Sequence, residues 1–378
     1  MKKKYIIFSL VTLVLLVSFL SYSKYLKTTN VCKEDVKPTK ITKGISMNLE
    51  QTAGAGDYKQ VTQSNWPTEG YKFNTELSRC ENGSTLSWDD SKKAVVMNGN
   101  VSDKCYVYFD KVLTLANYVI SQYTGIQGEN SLYYHDSNLA NGVGDNSYRY
   151  AGASDSVNNY ICLGSDAATC PDDNLFRIIG VFGAQTKVIR AKSVGNQKWD
   201  TSSSNKWSSS SLNTYLNGTY LTSLGTLKNK IATTTWKVGG GTPANISEVV
   251  PATAYKNEVG SSASRTIVNK KIGLMYVTDY YYSASPSAWT LVGYNSSDTT
   301  KDYRVAKTIN WLYLGSYEWT ISCHSGTSYS AFGVGNLGYV SGYFDVSTSS
   351  AVRPTFNLES SVKYVSGSGS MSDPVRVN

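Results

Sequence analysis

Histidine is almost missing from this 378-residue chain, with His135 and His324 the two it contains. Zinc sites are built from sets of His, Cys and carboxylate ligands, and an imidazole-based triad needs its base oriented by a third group, so this scarcity removes most routes to either chemistry. Neither histidine has a partner at ligand spacing. Cys323 directly precedes His324, yet neighbours on a strand point to opposite faces, and a working nucleophile and base usually come from separated segments. A packed thiol or a surface histidine is the expected reading there.

Charge is also sparse, at 17% of residues, and the formal net charge of +8 owes most of its excess to Lys2, Lys3, Lys4, Lys24 and Lys27. What remains is too nearly balanced for a nucleic-acid partner. No cofactor is implied either. Gly333-Val334-Gly335-Asn336-Leu337-Gly338 has dinucleotide-motif spacing but lacks a helix after it and an acidic ribose ligand downstream, so it reads as a glycine-rich turn. The oxygen-rich stretch from His135-Asp136-Ser137-Asn138 to Gly144-Asp145-Asn146 departs from the EF-hand order of acids, glycine and closing Glu, and reads as a solvated turn rather than a metal site.

Long apolar runs are missing save one. Residues 5–20 are apolar apart from Ser9, Thr12 and Ser18, and follow three lysines. A hydrocarbon core takes about 17 to 25 helical residues, and the basic cluster ahead of such a run stays cytoplasmic. Residues 1–27 therefore read as a single-pass signal anchor that meets the membrane through residues 5–22, with the N-terminus cytoplasmic and the C-terminal domain extracellular. A cleaved signal peptide is the alternative, with Ser21 and Ser23 as the small residues of its cleavage site.

Six cysteines in an extracellular chain argue for disulfides, and Cys80 with Cys105 and Cys162 with Cys170 are the close pairs. Closing those loops is worth roughly 3 to 3.5 and 2.5 to 3 kcal/mol respectively by chain entropy. Cys32 and Cys323 stand outside the two pairs, and Cys32 is placed to join two chains just above the membrane.

The fold class expected is mainly β with a few helices (α+β). Residues 28–43 form a polar stalk. Residues 44–110 form a small β-module stapled by Cys80 and Cys105, with strands over 85–88 and 93–97. Residues 111–123 carry Val112, Leu115, Ala116, Val119, Ile120 and Tyr123 at helical spacing and form a connecting helix. Residues 124–378 form a larger β-rich C-terminal domain, with strands over 176–182, 187–190, 271–277 and 311–314 and a serine-capped helix over 209–224.

Several stretches of that domain look familiar. Tyr148-Arg149-Tyr150-Ala151-Gly152-Ala153, Asn174-Leu175-Phe176-Arg177-Ile178-Ile179-Gly180-Val181, Lys271-Ile272-Gly273-Leu274-Met275, Tyr317-Glu318-Trp319-Thr320-Ile321-Ser322 and Val352-Arg353-Pro354-Thr355-Phe356-Asn357-Leu358 resemble an uncharacterised family of Firmicute-type bacterial surface proteins. More loosely, the pattern is similar to C-type-lectin-like or formylglycine-generating-enzyme-like folds. The catalytic cysteine pair of the generating enzymes has no counterpart here, and the family brings no assigned chemistry.

Aromatics are the strongest feature present, with 29 Tyr and 8 Trp. Such side chains offer rigid amphipathic area for a sugar or a protein, and they also fill half-buried strand positions. Tyr281, Trp289, Trp319 and Tyr329 are the candidate ligand-binding residues. The expected function is non-enzymatic cell-surface binding or adhesion, with a glycan or protein as partner. An extracellular hydrolase using Asp279, Glu318 and Asp345 is one alternative, and a pilin-like subunit is another.

Overall fold

A computed structural model of the chain describes residues 44–62, 70–239, 241–260 and 266–378. The anchor, the stalk and Cys32 lie outside the described residues. No helix among the described residues is long and apolar enough to cross a membrane. The chain divides into two units, residues 1–113 and 114–378.

In the first unit, strand Ile45–Glu50 alternates buried and half-buried positions, the pattern of a sheet with one covered face. It pairs in parallel with Cys105–Lys111, which is flanked antiparallel by Tyr71–Phe73 and Arg79–Cys80. Met47, Leu49, Phe73, Val107 and Phe109 form the core. Cys80 and Cys105 are directly opposite in that register and are joined by a disulfide. The hairpin Thr85–Asp89 with Ala94–Asn98 turns through Lys93, which takes a positive φ of 49°.

The second unit begins at a helix, Leu115–Ser121, whose N-cap Thr114 accepts from the Asn117 amide. Leu115, Ala116 and Val119 are buried in the large core of this unit. The helix is thus an integral part of the second unit rather than a connector before it.

A nine-stranded sheet carries that core among the described residues, running Ile272–Gly273, Thr355–Asn357, Gln185–Arg190, Leu175–Phe182, Tyr160–Cys162, Val375–Val377 and Tyr364–Ser366, with Tyr148–Tyr150 on Leu175–Phe182 and Leu132–Tyr134 beyond it. Leu175–Phe182 reads Leu-Phe-Arg-Ile-Ile-Gly-Val-Phe and is buried along nearly its whole length, because both faces are covered. Gly180 has a reason: a Cβ there would stand 2.2 Å from the Tyr148 carbonyl oxygen, so only glycine lets the neighbouring strand approach. The disulfide Cys162–Cys170 ties the end of Tyr160–Cys162 to the loop that leads into this strand.

A second sheet runs Asn196–Lys198, Ser349–Ala351, Glu318–Cys323, Ser330–Val334 and Val340–Asp345. Two expected strands differ. Within residues 271–277 only Ile272–Gly273 is strand, and a helix, Val277–Tyr282, starts where the strand was expected to end. Residues 311–314 form no strand, because Asn310 Oδ1 accepts the Leu312 amide and turns the chain there.

Candidate functional site

The aromatics separate sharply by burial. Tyr281, Trp289 and Trp319 are each 0% exposed, whereas Tyr329 is 53% exposed. The three sealed residues are core groups and present no face to a ligand, which corrects the expectation of an open aromatic surface built on them. Their polar tips are satisfied inside: Tyr281 Oη donates to Ile246 O, Trp289 Nε1 to Ala284 O and Trp319 Nε1 to Gln197 O.

Exposed aromatic area lies instead on the second sheet, at Tyr317, Tyr329 and Tyr343. A shallow cleft of about 340 Å³ is lined by Tyr317, Phe344, Asp345, Thr348, Ser349 and Ser350. Its construction follows from one glycine and one tryptophan. A Cβ on Gly333 would meet the Phe344 ring at 2.2 Å, so the missing side chain makes the seat on which that ring lies. Buried Trp319 meets Phe344 edge to face at 6.1 Å between centroids, and Tyr317 does so from the rim at 5.6 Å. Trp319 is therefore the floor of the cleft rather than a contact.

The polar side of the cleft is a turn fixed by Asp345. Its Oδ1 accepts from Ser347 N at 2.8 Å and Ser347 Oγ at 2.7 Å, and these hydrogen bonds hold the carboxyl below the usual range. Thr348 Oγ1 donates to the Asp345 carbonyl at 2.7 Å. The Ala351 amide donates to Tyr317 O at 2.8 Å, which pins the tyrosine backbone beside Ser349–Ala351. The result is an aromatic ring pair facing a charged acceptor and three hydroxyls. Tyr329 is outside this lining, although the Val346 amide donates to its carbonyl at 3.0 Å.

The carboxylates proposed for hydrolysis do not meet in an open cleft among the described residues. Asp279 is 3% exposed and hydrogen-bonded to Lys187, and Glu318 is 1% exposed and paired with Arg353 at 2.6 and 2.7 Å. Burial pushes the Glu318 carboxyl up, and the Arg353 guanidinium acts against that. Asp345 is the one of the three that reaches a cleft. His324 is 6% exposed, packed against Tyr343 and Phe332, so it is not the surface residue its setting suggested. His135 is also buried, against Tyr282 and Trp289. No group of three or more His, Cys, Asp or Glu among the described residues is placed to hold a metal ion.

Residues 184–360 match the family model of a domain of unknown function, DUF6273. The cleft, its tryptophan floor and the Glu318–Arg353 pair all fall inside the DUF6273 segment. Neither a curated protein nor a solved structure matches the chain. Tyr317 belongs to the aromatic excess of the sequence without being one of its four candidates, and Phe344 is not marked by it; the signal available is Gly333 on the strand neighbouring Phe344.

Proposed function

We propose that this protein is a non-enzymatic recognition protein of the bacterial cell surface, anchored through residues 5–22, and that its DUF6273 segment takes a glycan in the Tyr317–Phe344 cleft. The observation that carries the reading is the pairing of half-exposed aromatic area with Asp345, Thr348, Ser349 and Ser350 around one opening. A sugar ring has an apolar face that stacks on an aromatic side chain and an equatorial rim of hydroxyls that needs acceptors and donors, and this lining supplies both. A volume near 340 Å³ lies at the small end of ligand sites, the size of one or two sugar rings.

The resemblance to Firmicute-type surface proteins and, more loosely, to C-type-lectin-like folds supports the same reading. The apolar leader and the paired cysteines support an extracellular placement. Screening the full chain against an array of cell-envelope glycans tests it. Retention of a defined set of glycans, lost in Tyr317→Ala, is the expected result. A blank array, or binding that Tyr317→Ala leaves intact, contradicts it.

A further inference from the structure

Lys187 and Asp279 stand 92 positions apart in the chain and meet in the core of the second unit, where Lys187 Nζ donates to Asp279 Oδ2. Their side chains are 7% and 2% exposed. Lys187 comes from strand Gln185–Arg190, in the middle of the large sheet, and Asp279 from the first turn of helix Val277–Tyr282. Three rings enclose the lysine tip: its Nζ is 4.6 Å from the Tyr276 ring centroid, 5.5 Å from Phe182 and 5.7 Å from Trp236. Bulk water is excluded from this contact.

A second carboxylate shares the same helix end. Asp279 accepts the Tyr276 amide at 2.8 Å, while Glu258 accepts the next two amides, Val277 and Thr278, at 2.9 Å each. Three consecutive backbone amides of one turn thus donate to two buried carboxyl groups, and the Thr278 and Ser322 hydroxyls also donate to Glu258. The other charged group near the pair is Arg149, engaged with Asp145 at 2.6 Å. Taking an ammonium out of water is costly, and in a low-dielectric site the neutral amine becomes a competitive form. Burial pushes the Lys187 ammonium down and the Glu258 carboxyl up. A desolvated lysine of this kind is a nucleophile, held against an electrophilic carbon.

We infer that Lys187 and Asp279 condense after folding into an intramolecular isopeptide bond. One proton of the Lys187 ammonium passes to the Asp279 carboxylate it touches, the lone pair so freed on Nζ attacks Cγ, and a C–N bond forms. A second proton lost from nitrogen passes to the departing hydroxyl, the C–OH bond breaks, and one water leaves. Ammonium and carboxylate give amide and water, so neither oxidant nor cofactor enters. The fold supplies the drive by fixing two reactants in contact, which is worth a very large effective concentration. The oxygen retained on Cγ still accepts the Tyr276 amide. The product is a covalent brace between the central sheet and the helix, independent of whatever the Tyr317 cleft binds.

Mass spectrometry of the full chain after disulfide reduction tests this without any variant. The expected result is a chain lighter by one water and a digest containing a branched peptide in which the Lys187 segment is joined to the Asp279 segment. Lys187→Arg keeps the cation but has no amine to acylate, so its digest yields both segments linear. Two linear segments from the wild-type digest overturn the inference and leave an ordinary buried ion pair.

Discussion

At the scale of single residues, the least visible feature of the sequence is the set of charges that the second unit buries. Arg149, Arg177, Lys187 and Arg353 are each no more than 5% exposed. Nothing local announces this, since an arginine in a strand reads the same whether its partner is solvent or a carboxylate contributed from far along the chain. Glu318 and Arg353 illustrate the consequence. Both are buried, and removing one partner leaves the other charge uncompensated, so Glu318→Leu is expected to destabilise by roughly 3 to 5 kcal/mol. Denaturant unfolding checks it, and the double variant Glu318→Leu with Arg353→Met should recover much of the loss. If Glu318 instead served hydrolysis, Glu318→Leu would remove an activity and spare stability.

His135 makes a pH statement of the same kind. Burial, and secondarily the Arg149 guanidinium, hold its imidazole well below the ordinary value, with Asp145 acting in the opposite direction. The unfolded chain then binds a proton near pH 6.5 that the folded chain refuses, so stability falls as pH drops through that value. The limiting slope is about 1.4 kcal/mol per pH unit. Burial pushes the Glu258 and Glu318 carboxyls up, and these contribute with the opposite sign. Comparing wild type with His135→Phe isolates the histidine: the variant should lose less stability between pH 7 and pH 5.5. Equal losses would contradict the account.

At the scale of elements, the sequence was most legible where turn residues bound a short run of strand-forming side chains. The hairpin at residues 85–98 and the run Leu175–Phe182 follow from β-branched and aromatic composition bounded by turn residues. Helix Val277–Tyr282 was not legible, and the reason is physical. All six of its residues are buried, so it has no apolar stripe and no 3.6-residue period to detect. Its first turn is also satisfied from afar by Glu258, a residue that local sequence rules do not connect to it. The aromatic site was half legible for a similar reason: the aromatic excess singles out Trp319 and Tyr329, while burial decides that Trp319 is floor and Tyr317 is rim.

The two disulfides were legible from spacing, and both form. The short loop closed by Cys162 and Cys170 is worth about 2.5 kcal/mol in the chain-entropy view. Cys162→Ser with Cys170→Ser should therefore lower the unfolding midpoint by that amount while far-ultraviolet circular dichroism stays unchanged. Loss of the sheet signal itself would mean that the bridge sets the register of Leu175–Phe182 rather than only limiting the unfolded chain.

At the scale of the whole molecule, the chain divides at residue 113, and helix Leu115–Ser121 falls in the second unit. A fragment of residues 114–378 is expected to unfold cooperatively on its own. A fragment of residues 124–378 lacks helix Leu115–Ser121 and exposes the core surface that Leu115, Ala116 and Val119 cover. Burial of a Leu or Val side chain contributes roughly 1.5 to 3 kcal/mol, so the shorter fragment should be less stable by at least about 3 kcal/mol. Thermal melts of the two fragments decide this, and coincident melts would place the helix outside the cooperative unit.

Recognition at the Tyr317–Phe344 cleft is measured by calorimetric titration of the full chain with the strongest array glycan. Truncating a ring that anchors a ligand commonly costs more than about 1.4 kcal/mol, or tenfold in affinity. Tyr317→Ala is expected to weaken binding by that factor or more, and Tyr343→Ala, at an exposed tyrosine outside the cleft lining, to leave it unchanged. Equal affinities for wild type and Tyr317→Ala, or a loss confined to Tyr343→Ala, would contradict it.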